Sequence, residues 1–380
     1  MSGLDYDLDD EHRLFRSTVR EFAEERIGPQ AEELDREGRF PLELVGEAAE
    51  LGLLGIPIPE EWGGAGSDTL AYALAIEELA RVDSSFAITV AAHTSLGTTP
   101  ILRFGSRQQR ERWLPDLAAG KRLAAFGLTE PGAGSDAGAT RTTGHLEDGE
   151  WVIDGSKMFI TNAGTEISAL VTITARTGPE EISNIVVCNG TPGYTPTEPL
   201  KKMGWRSSDT RELSFQGCRV PEGNLLGPRG EGFHQFLEIL DGGRISVAAL
   251  GLGMAQGAFE MALAYAKSRE QFGRPIGRFQ AVQFKLADMA TEIEAARSLV
   301  WKAAWLKDQG QPFAQQAAIA KLYTGELARR VCNESLQVHG GYGFMDEYPI
   351  SRFYRDAKVL EIGEGTNEVQ RLVIARGLGL

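Results

Sequence analysis

The feature that most constrains this chain is that its apolar period changes twice along its length. From Glu11 to about Arg122 the spacing is helical. Phe15, Val19 and Phe22 share one face, and Pro41 opens a segment carrying Leu42, Val45 and Ala49 that Gly52 stops. Ile56 to Gly66, with Pro57, Pro59, Gly63 and Gly64, reads as a loop, after which Leu70, Leu74 and the stretch Ser84 to Phe104 resume the helical pattern. After Leu123 the texture turns to short β-branched and aromatic runs separated by turn residues. Trp151 to Ile153, Asp154-Gly155 and Met158 to Thr161 predict a hairpin, and Val171, Ile173, Ile185 to Cys188, Leu213 and Phe215 predict further strands. Beyond Gly227 long helices return over Phe233 to Ala266, Gln280 to about Lys307, Phe313 to Leu336 and Asn367 to Arg376. The expected layout is an α+β chain: an all-α domain over 1–122, a compact β domain over 123–227 and an antiparallel helical bundle over 228–380.

The charge balance narrows the ligands. Lys and Arg total 39 against 53 Asp and Glu, a formal charge of -14, which speaks against nonspecific binding to nucleic acid or anionic membranes. An anionic ligand must therefore meet local positive groups. Cys188, Cys218 and Cys332 lie too far apart in sequence for a CxxC pairing, and His93, His234 and His339 lack metal-ligand spacing, so these histidines read as structural or capping residues. The acidic stretch Met1 to Asp10 has no apolar leader core, and no run of about 18 apolar residues occurs, which predicts a cytoplasmic protein.

Five stretches carry chemistry. Thr129-Glu130-Pro131-Gly132-Ala133-Gly134-Ser135-Asp136 matches GxGxxA through Gly132, Gly134 and Ala137, but a dinucleotide fingerprint needs a helix directly after it, and Gly138 to Ile153 has no helical period. The remaining choices are a phosphate-cradling loop with Thr129 and Ser135 as hydroxyl donors, or a plain turn between strands. Glu361-Ile362-Gly363-Glu364-Gly365-Thr366-Asn367 sets Glu364 between two glycines before a helix for which Asn367 is the expected N-cap. Glu364 is there either a solvated loop charge or a base on a loop that a substrate can approach. Gln337 to Gly343 ends a helix with more glycines than a C-cap requires. Arg269 near Phe272-Gly273, and Arg244 in Asp241-Gly242-Gly243-Arg244, set arginines beside glycines as phosphate recognition requires, with surface ion pairing as the plainer alternative.

Leu128 to Asp136, Met158-Phe159-Ile160-Thr161-Asn162, Arg269 to Gly273, Gln337 to Gly341 and Glu364 to Asn367 occur in the order and spacing of the acyl-CoA dehydrogenase family, which the whole chain resembles. The resemblance implies an FAD-dependent enzyme whose middle domain is a β-barrel and whose C-terminal domain is a four-helix bundle, assembled as a homotetramer. It places Phe126, Leu128, Thr129, Gly134, Ser135, Phe159 and Thr161 on the flavin. Many relatives carry tryptophan where Phe159 stands. Arg269, Phe272, Gln280, Gln337, Gly340 and Gly341 are implied to reach the FAD of a neighbouring subunit, with Thr366 and Glu368 at its pyrophosphate and adenosine end. Ser135, Asp241, Arg244 and Gly365 match substrate-contacting positions.

Glu364 matches the catalytic glutamate, and the alternative base position used by some relatives is Gly243 here. The implied reaction removes the α-proton of an acyl-CoA thioester to Glu364 and a hydride from the β-carbon to flavin. The product is a trans-2-enoyl-CoA, and the electrons go to an electron-transferring flavoprotein. An oxygen-using acyl-CoA oxidase and a catalytically silent acyl-CoA-binding flavoprotein are the alternatives. The segment Ser84 to Thr99 is implied to shape the acyl pocket, with Phe86, Val90 and Leu96 as its apolar lining. No arginine lies there, so a neutral acyl chain is expected.

Overall fold

Four of the seven helix starts in the first third are set by side-chain caps. Asp9 accepts from the His12 N–H, Asp68 from Ala71 and Asp83 from Phe86, and Ser106 with Gln109 forms a capping box. The structure, a computed structural model, describes residues 8–380, so residues 1–7 of the acidic Met1 to Asp10 stretch lie outside the described residues. The helices are α1 (Asp10–Phe22), α2 (Gly28–Glu37), α3 (Leu42–Glu50), α4 (Thr69–Val82), α5 (Ser84–Ala91), α6 (Thr99–Phe104) and α7 (Arg107–Ala118). Wider π turns occupy Ala23–Ile27 and Ala92–Thr98.

The middle third forms one sheet from β1 (Leu123–Gly127), β2 (Thr143–Glu147), β3 (Glu150–Thr161), β4 (Ser168–Arg176), β5 (Ile182–Cys188), β6 (Tyr194–Pro196), β7 (Thr210–Pro221) and β8 (Leu225–Leu226). Its hydrogen-bonded order is β6-β7-β3-β2-β4-β5-β8, with β1 parallel to β4. Trp151, Ile153, Val171, Ile185 and Phe215 form its core, which Tyr194 of β6 and Leu225 of β8 join from the two ends of the ladder. The sheet thus wraps its own interior. The expected hairpin at Asp154-Gly155 is corrected: β3 runs straight through that dipeptide, and the turn is Asp148-Gly149, where both residues have positive φ as a type I′ turn demands. Gly155 is instead a close-approach position. A Cβ there would meet Thr142 Oγ1 at 2.6 Å, and the pairing with β7 bulges beside it.

The last third contains α8 (Gly232–Ser268), the small hairpin β9 (Glu270–Gln271) and β10 (Arg274–Pro275), α9 (Gln280–Asp308), α10 (Ala314–His339), α11 (Ile350–Ala357) and α12 (Asn367–Gly377). By length and composition α8 could cross a membrane, with a mean hydropathy of 1.4 in its most apolar window, but 67% of that window is buried by its neighbours. Glycines set its closest packing: a Cβ at Gly253 would meet the Glu77 carbonyl of α4 at 2.2 Å, and one at Gly251 would meet the Thr324 carbonyl of α10 at 3.1 Å. One apolar core consequently runs through both helical thirds, from Val19 and Leu74 to Ile245, Val300 and Leu327. Glu78, fully buried on α4, locks α1 to it by accepting from Arg16 at 2.6 Å and Arg20 at 2.9 Å. His93 is structural, as expected: Nδ1 accepts from the Ala124 N–H, Nε2 donates to the Leu117 carbonyl, and burial pushes its pKa down to about 4.

Candidate active site

The loop between α11 and α12 carries the carboxylate the sequence singles out. Glu364 and Gly365 both adopt positive φ, 51° and 87°. For Gly365 that is free of side-chain strain; for Glu364 it is a strained conformation that the surroundings must impose. Thr366, rather than the expected Asn367, caps α12: its Oγ1 accepts from the Val369 N–H at 3.2 Å, while Asn367 lies inside the first turn and is buried beside Gly325. Glu368 follows it, exposed. Oε2 of Glu364 is sealed from solvent and has no hydrogen-bond partner, and its backbone N–H donates to no acceptor among the described residues.

Gly243 of α8 faces this carboxylate. A Cβ there would lie 2.5 Å from Oε2 and 3.6 Å from Leu96 Cδ2, so Glu364 and the position of Gly243 converge on one point. Burial pushes the Glu364 pKa up to about 7, against the pull of Lys321 first and then Arg244. Arg244 is buried, bound to Asp241 one helical turn away, with its Nε unpartnered. Phe86 and Val90 belong to the shared helical core, Phe86 packing on Phe22, while Leu96, partly buried, lies beside Gly243.

A second group forms on the middle domain. Glu130 N–H and Ala133 N–H each donate to the other's carbonyl, and the Thr129 carbonyl accepts from Met158 at 2.7 Å, which fixes the Leu128 to Asp136 loop. Beneath it the Lys157 ammonium, fully buried, donates to Glu130 at 2.7 Å, Thr174 Oγ1 at 3.0 Å and the Leu128 carbonyl at 3.2 Å. Above it Gly132 and Gly134 have nothing within 4 Å of a Cβ position, so their lack of a side chain serves open space rather than the chain's own packing. Thr129 is half-buried and Ser135 exposed. Phe159 sits at a bulge of β3 with φ 63° and 65% of its surface exposed, a costly backbone for a bulky residue and a costly place for an apolar ring. Thr161 ends the same strand, and Phe126 is nearly buried with its ring stacked on Phe236 at 5.7 Å.

The third group lies apart. Arg269, Gly340 and Gly341 line a cavity of about 430 Å³ together with Tyr265, His339 and Tyr342, and no residue of the Thr129, Phe159 or Glu364 segments lines it. The Arg269 guanidinium lies 5.3 Å over the Tyr342 ring and makes no ion pair among the described residues. Phe272, at φ 53° and 94% exposed, tips the β9–β10 hairpin, and Gln280 and Gln337 are exposed on the first turn of α9 and the last turn of α10.

Sequence reasoning missed Lys157, Lys321 and Gln370. Lys321 donates to the Gly365 carbonyl at 2.7 Å, and Gln370 donates to the same atom at 2.9 Å. The available signal was a lone lysine directly after the alanine-rich run Ala317 to Ala320, on a helix face otherwise reserved for the core.

The chain matches the N-terminal, middle and C-terminal domain models of acyl-CoA dehydrogenases over residues 9–121, 125–218 and 230–379. It is 51% identical to a probable acyl-CoA dehydrogenase of Bacillus subtilis over 99% of this chain and 100% of that protein. The structure of butyryl-CoA dehydrogenase from Megasphaera elsdenii superposes with a TM-score of 0.96 at 43% identity, covering 99% and 100% of the two chains. An acyl-CoA dehydrogenase from Bacillus anthracis, complexed with FAD, superposes at 0.93 with 36% identity, covering 98% of this chain and 67% of that one. With a strained, desolvated glutamate at the junction of its helices and all three domain models matched in order, the chain belongs to the acyl-CoA dehydrogenase family.

Proposed function

We propose that the protein dehydrogenates a neutral acyl-CoA thioester to the trans-2-enoyl-CoA, with Glu364 as the α-proton base and FAD as cofactor. The observation that carries this reading is Glu364 itself, whose Oε2 is sealed from water and without a hydrogen-bond partner, set on a loop whose own N–H donates to no acceptor among the described residues. A desolvated carboxylate is a stronger base than a hydrated one, and a free amide beside it can polarise the thioester carbonyl and so acidify the α-carbon.

The residues present fit FAD. Open space at Gly132 and Gly134 admits a diphosphate against backbone amides, and the exposed ring of Phe159 offers a face for an isoalloxazine. Thr129, Gly134, Ser135, Phe159 and Thr161 hold the cofactor of their own chain, with Phe126 and Leu128 beneath. Arg269, Phe272, Gln280, Gln337, Gly340 and Gly341 complete a neighbour's site, and Thr366 and Glu368 approach its pyrophosphate end. That division accounts for the separation of the Arg269 cavity from Glu364 within one chain. Bound FAD supplies the hydride acceptor. Asp241, Arg244, Ser135 and Gly365 serve the CoA thioester, an electron-transferring flavoprotein takes the electrons, and the assembly is a homotetramer.

The test is anaerobic stopped-flow bleaching of the flavin by a panel of acyl-CoAs beginning with butyryl-CoA. Glu364→Gln is expected to keep FAD and acyl-CoA binding and to bleach on the order of 100 to 10,000-fold more slowly. Bleaching within a few-fold of the parent rate overturns the assignment.

A further inference from the structure

We propose that Lys321 is a positioning residue for the base, holding the Glu364 loop in its strained conformation from beneath and opposing the carboxylate's charge without bonding to it. The inference rests on Glu364 being the base. Lys321 is fully buried on α10, where desolvation makes an ammonium expensive unless it has a use. Its proton goes to the Gly365 carbonyl at 2.7 Å rather than to a carboxylate. Gln370, equally buried on α12, donates to the same carbonyl at 2.9 Å and to the Glu364 carbonyl at 3.3 Å. Two donors from two helices thus converge on the carbonyls of the two positive-φ residues, which supplies the over-determination that Glu364 needs.

The electrostatic half follows from what Lys321 does not do. It forms no ion pair with Glu364, so Oε2 keeps its lone pairs free for an incoming proton. The charge still acts on the carboxylate across the space between them. Other groups acting on the carboxylate are Arg244 on α8, itself bound to Asp241, and Tyr72 on α4, with Glu361 and Glu368 flanking the loop. Asp241 already binds Arg244, which leaves Lys321 as the principal cation acting on Glu364.

Lys321→Met removes donor and charge, and Lys321→Gln keeps a donor and removes the charge. Flavin bleaching is measured against pH in the FAD-loaded protein, alongside the infrared carboxyl band of Glu364, identified by its loss in Glu364→Gln. Both Lys321 variants are expected to move the acidic limb of the rate profile and the infrared midpoint up by about one pH unit, a roughly tenfold rate loss on that limb. Acyl-CoA affinity should stay within about threefold, since no substrate contact is removed. Lys321→Gln should retain more of the high-pH plateau than Lys321→Met, because it still holds the Gly365 carbonyl. A loss equal at every pH with an unmoved infrared midpoint overturns the proposal. If Lys321→Met does not fold, the infrared midpoint of Lys321→Gln decides alone. Normal bleaching by Glu364→Gln would instead sink the base assignment, and the infrared midpoint would still report whether Lys321 governs that carboxyl.

Discussion

Two glutamates in this protein, Glu130 fully buried and Glu364 half-buried, lie beside a buried lysine, and they are wired in opposite ways. Glu130 accepts from Lys157 at 2.7 Å and from the N–H groups of Arg141 and Thr142 at 2.7 and 3.0 Å. Burial works to raise its pKa, but Lys157 and these donors outweigh it and hold the carboxyl below the usual range. Glu364 is half-buried with one oxygen sealed and has a lysine nearby, yet Lys321 donates to a backbone carbonyl and the carboxylate is left unbonded, with its pKa up at about 7. Both lysines are pushed down to about 8 by burial. A saturated carboxylate is a structural tie; an unsaturated one is poised to take a proton.

The largest effects should fall on different observables. Glu364→Gln strikes the rate, as above, and leaves the fold intact. Lys157→Met should strike the fold: it strands Glu130 as a buried charge without its partner, at a cost of about 3 to 5 kcal/mol in unfolding free energy, read by urea denaturation. The Leu128 to Asp136 loop sits on that pair, so FAD retention on gel filtration should fall with it. A Lys157→Met protein as stable and as yellow as the parent would erase the contrast. Next comes Gly243→Ala. The added Cβ would lie 2.5 Å from Oε2, the movable end of a side chain, so the fold should lose under about 1 kcal/mol while the base is displaced. Displacing a reacting group by about 1 Å can cost on the order of 100-fold, so bleaching should slow by that order with unfolding nearly unchanged.

Sequence reading reached the α, β, α order because helix and strand periods differ and because glycine and proline punctuate them. It misplaced the hairpin because Asp148-Gly149 and Asp154-Gly155 carry the same dipeptide. Only the contact with Thr142 shows that Gly155 is needed for close approach rather than for turning. Asn367 loses the cap to Thr366 for a similar reason: both types cap well, and tertiary burial of Asn367 decides between them. Glu364 was legible through its glycines and through family resemblance. Lys321, Gln370 and Lys157 were not, since a lysine on a helix or strand reads as solvated until its neighbours are known. The Arg269 group was legible as a motif, although its separation from Glu364 appears only in three dimensions.

The smallest effect gives the sharpest comparison, because the two glutamates should respond to pH with opposite signs. Glu364 is raised from 4.5 to about 7 by burial, so the fold favours its protonated form. Its contribution is fully present below the unfolded value and is lost as pH rises through about 7. At about 1.4 kcal/mol per unit, the loss has a ceiling of about 3 kcal/mol. Glu364→Gln does not titrate, so its stability relative to the parent should rise between pH 4.5 and 7 and then level off. Lys321 keeps the gain below the ceiling, since it loses a favourable neighbour in that variant. Glu130 runs the other way. Its pKa is lowered, so its contribution is present above the unfolded value and lost as pH falls through the folded one, and Glu130→Gln should be less stable than the parent by a constant amount above 4.5 and approach it at lower pH. Urea unfolding of parent and both variants from about pH 3 to 8 reads both slopes, that of Glu130 below 4.5 and that of Glu364 between 4.5 and about 7. Parallel curves for Glu364→Gln and the parent would mean that this carboxylate is solvated like any loop charge, and the distinction between the two glutamates would fall.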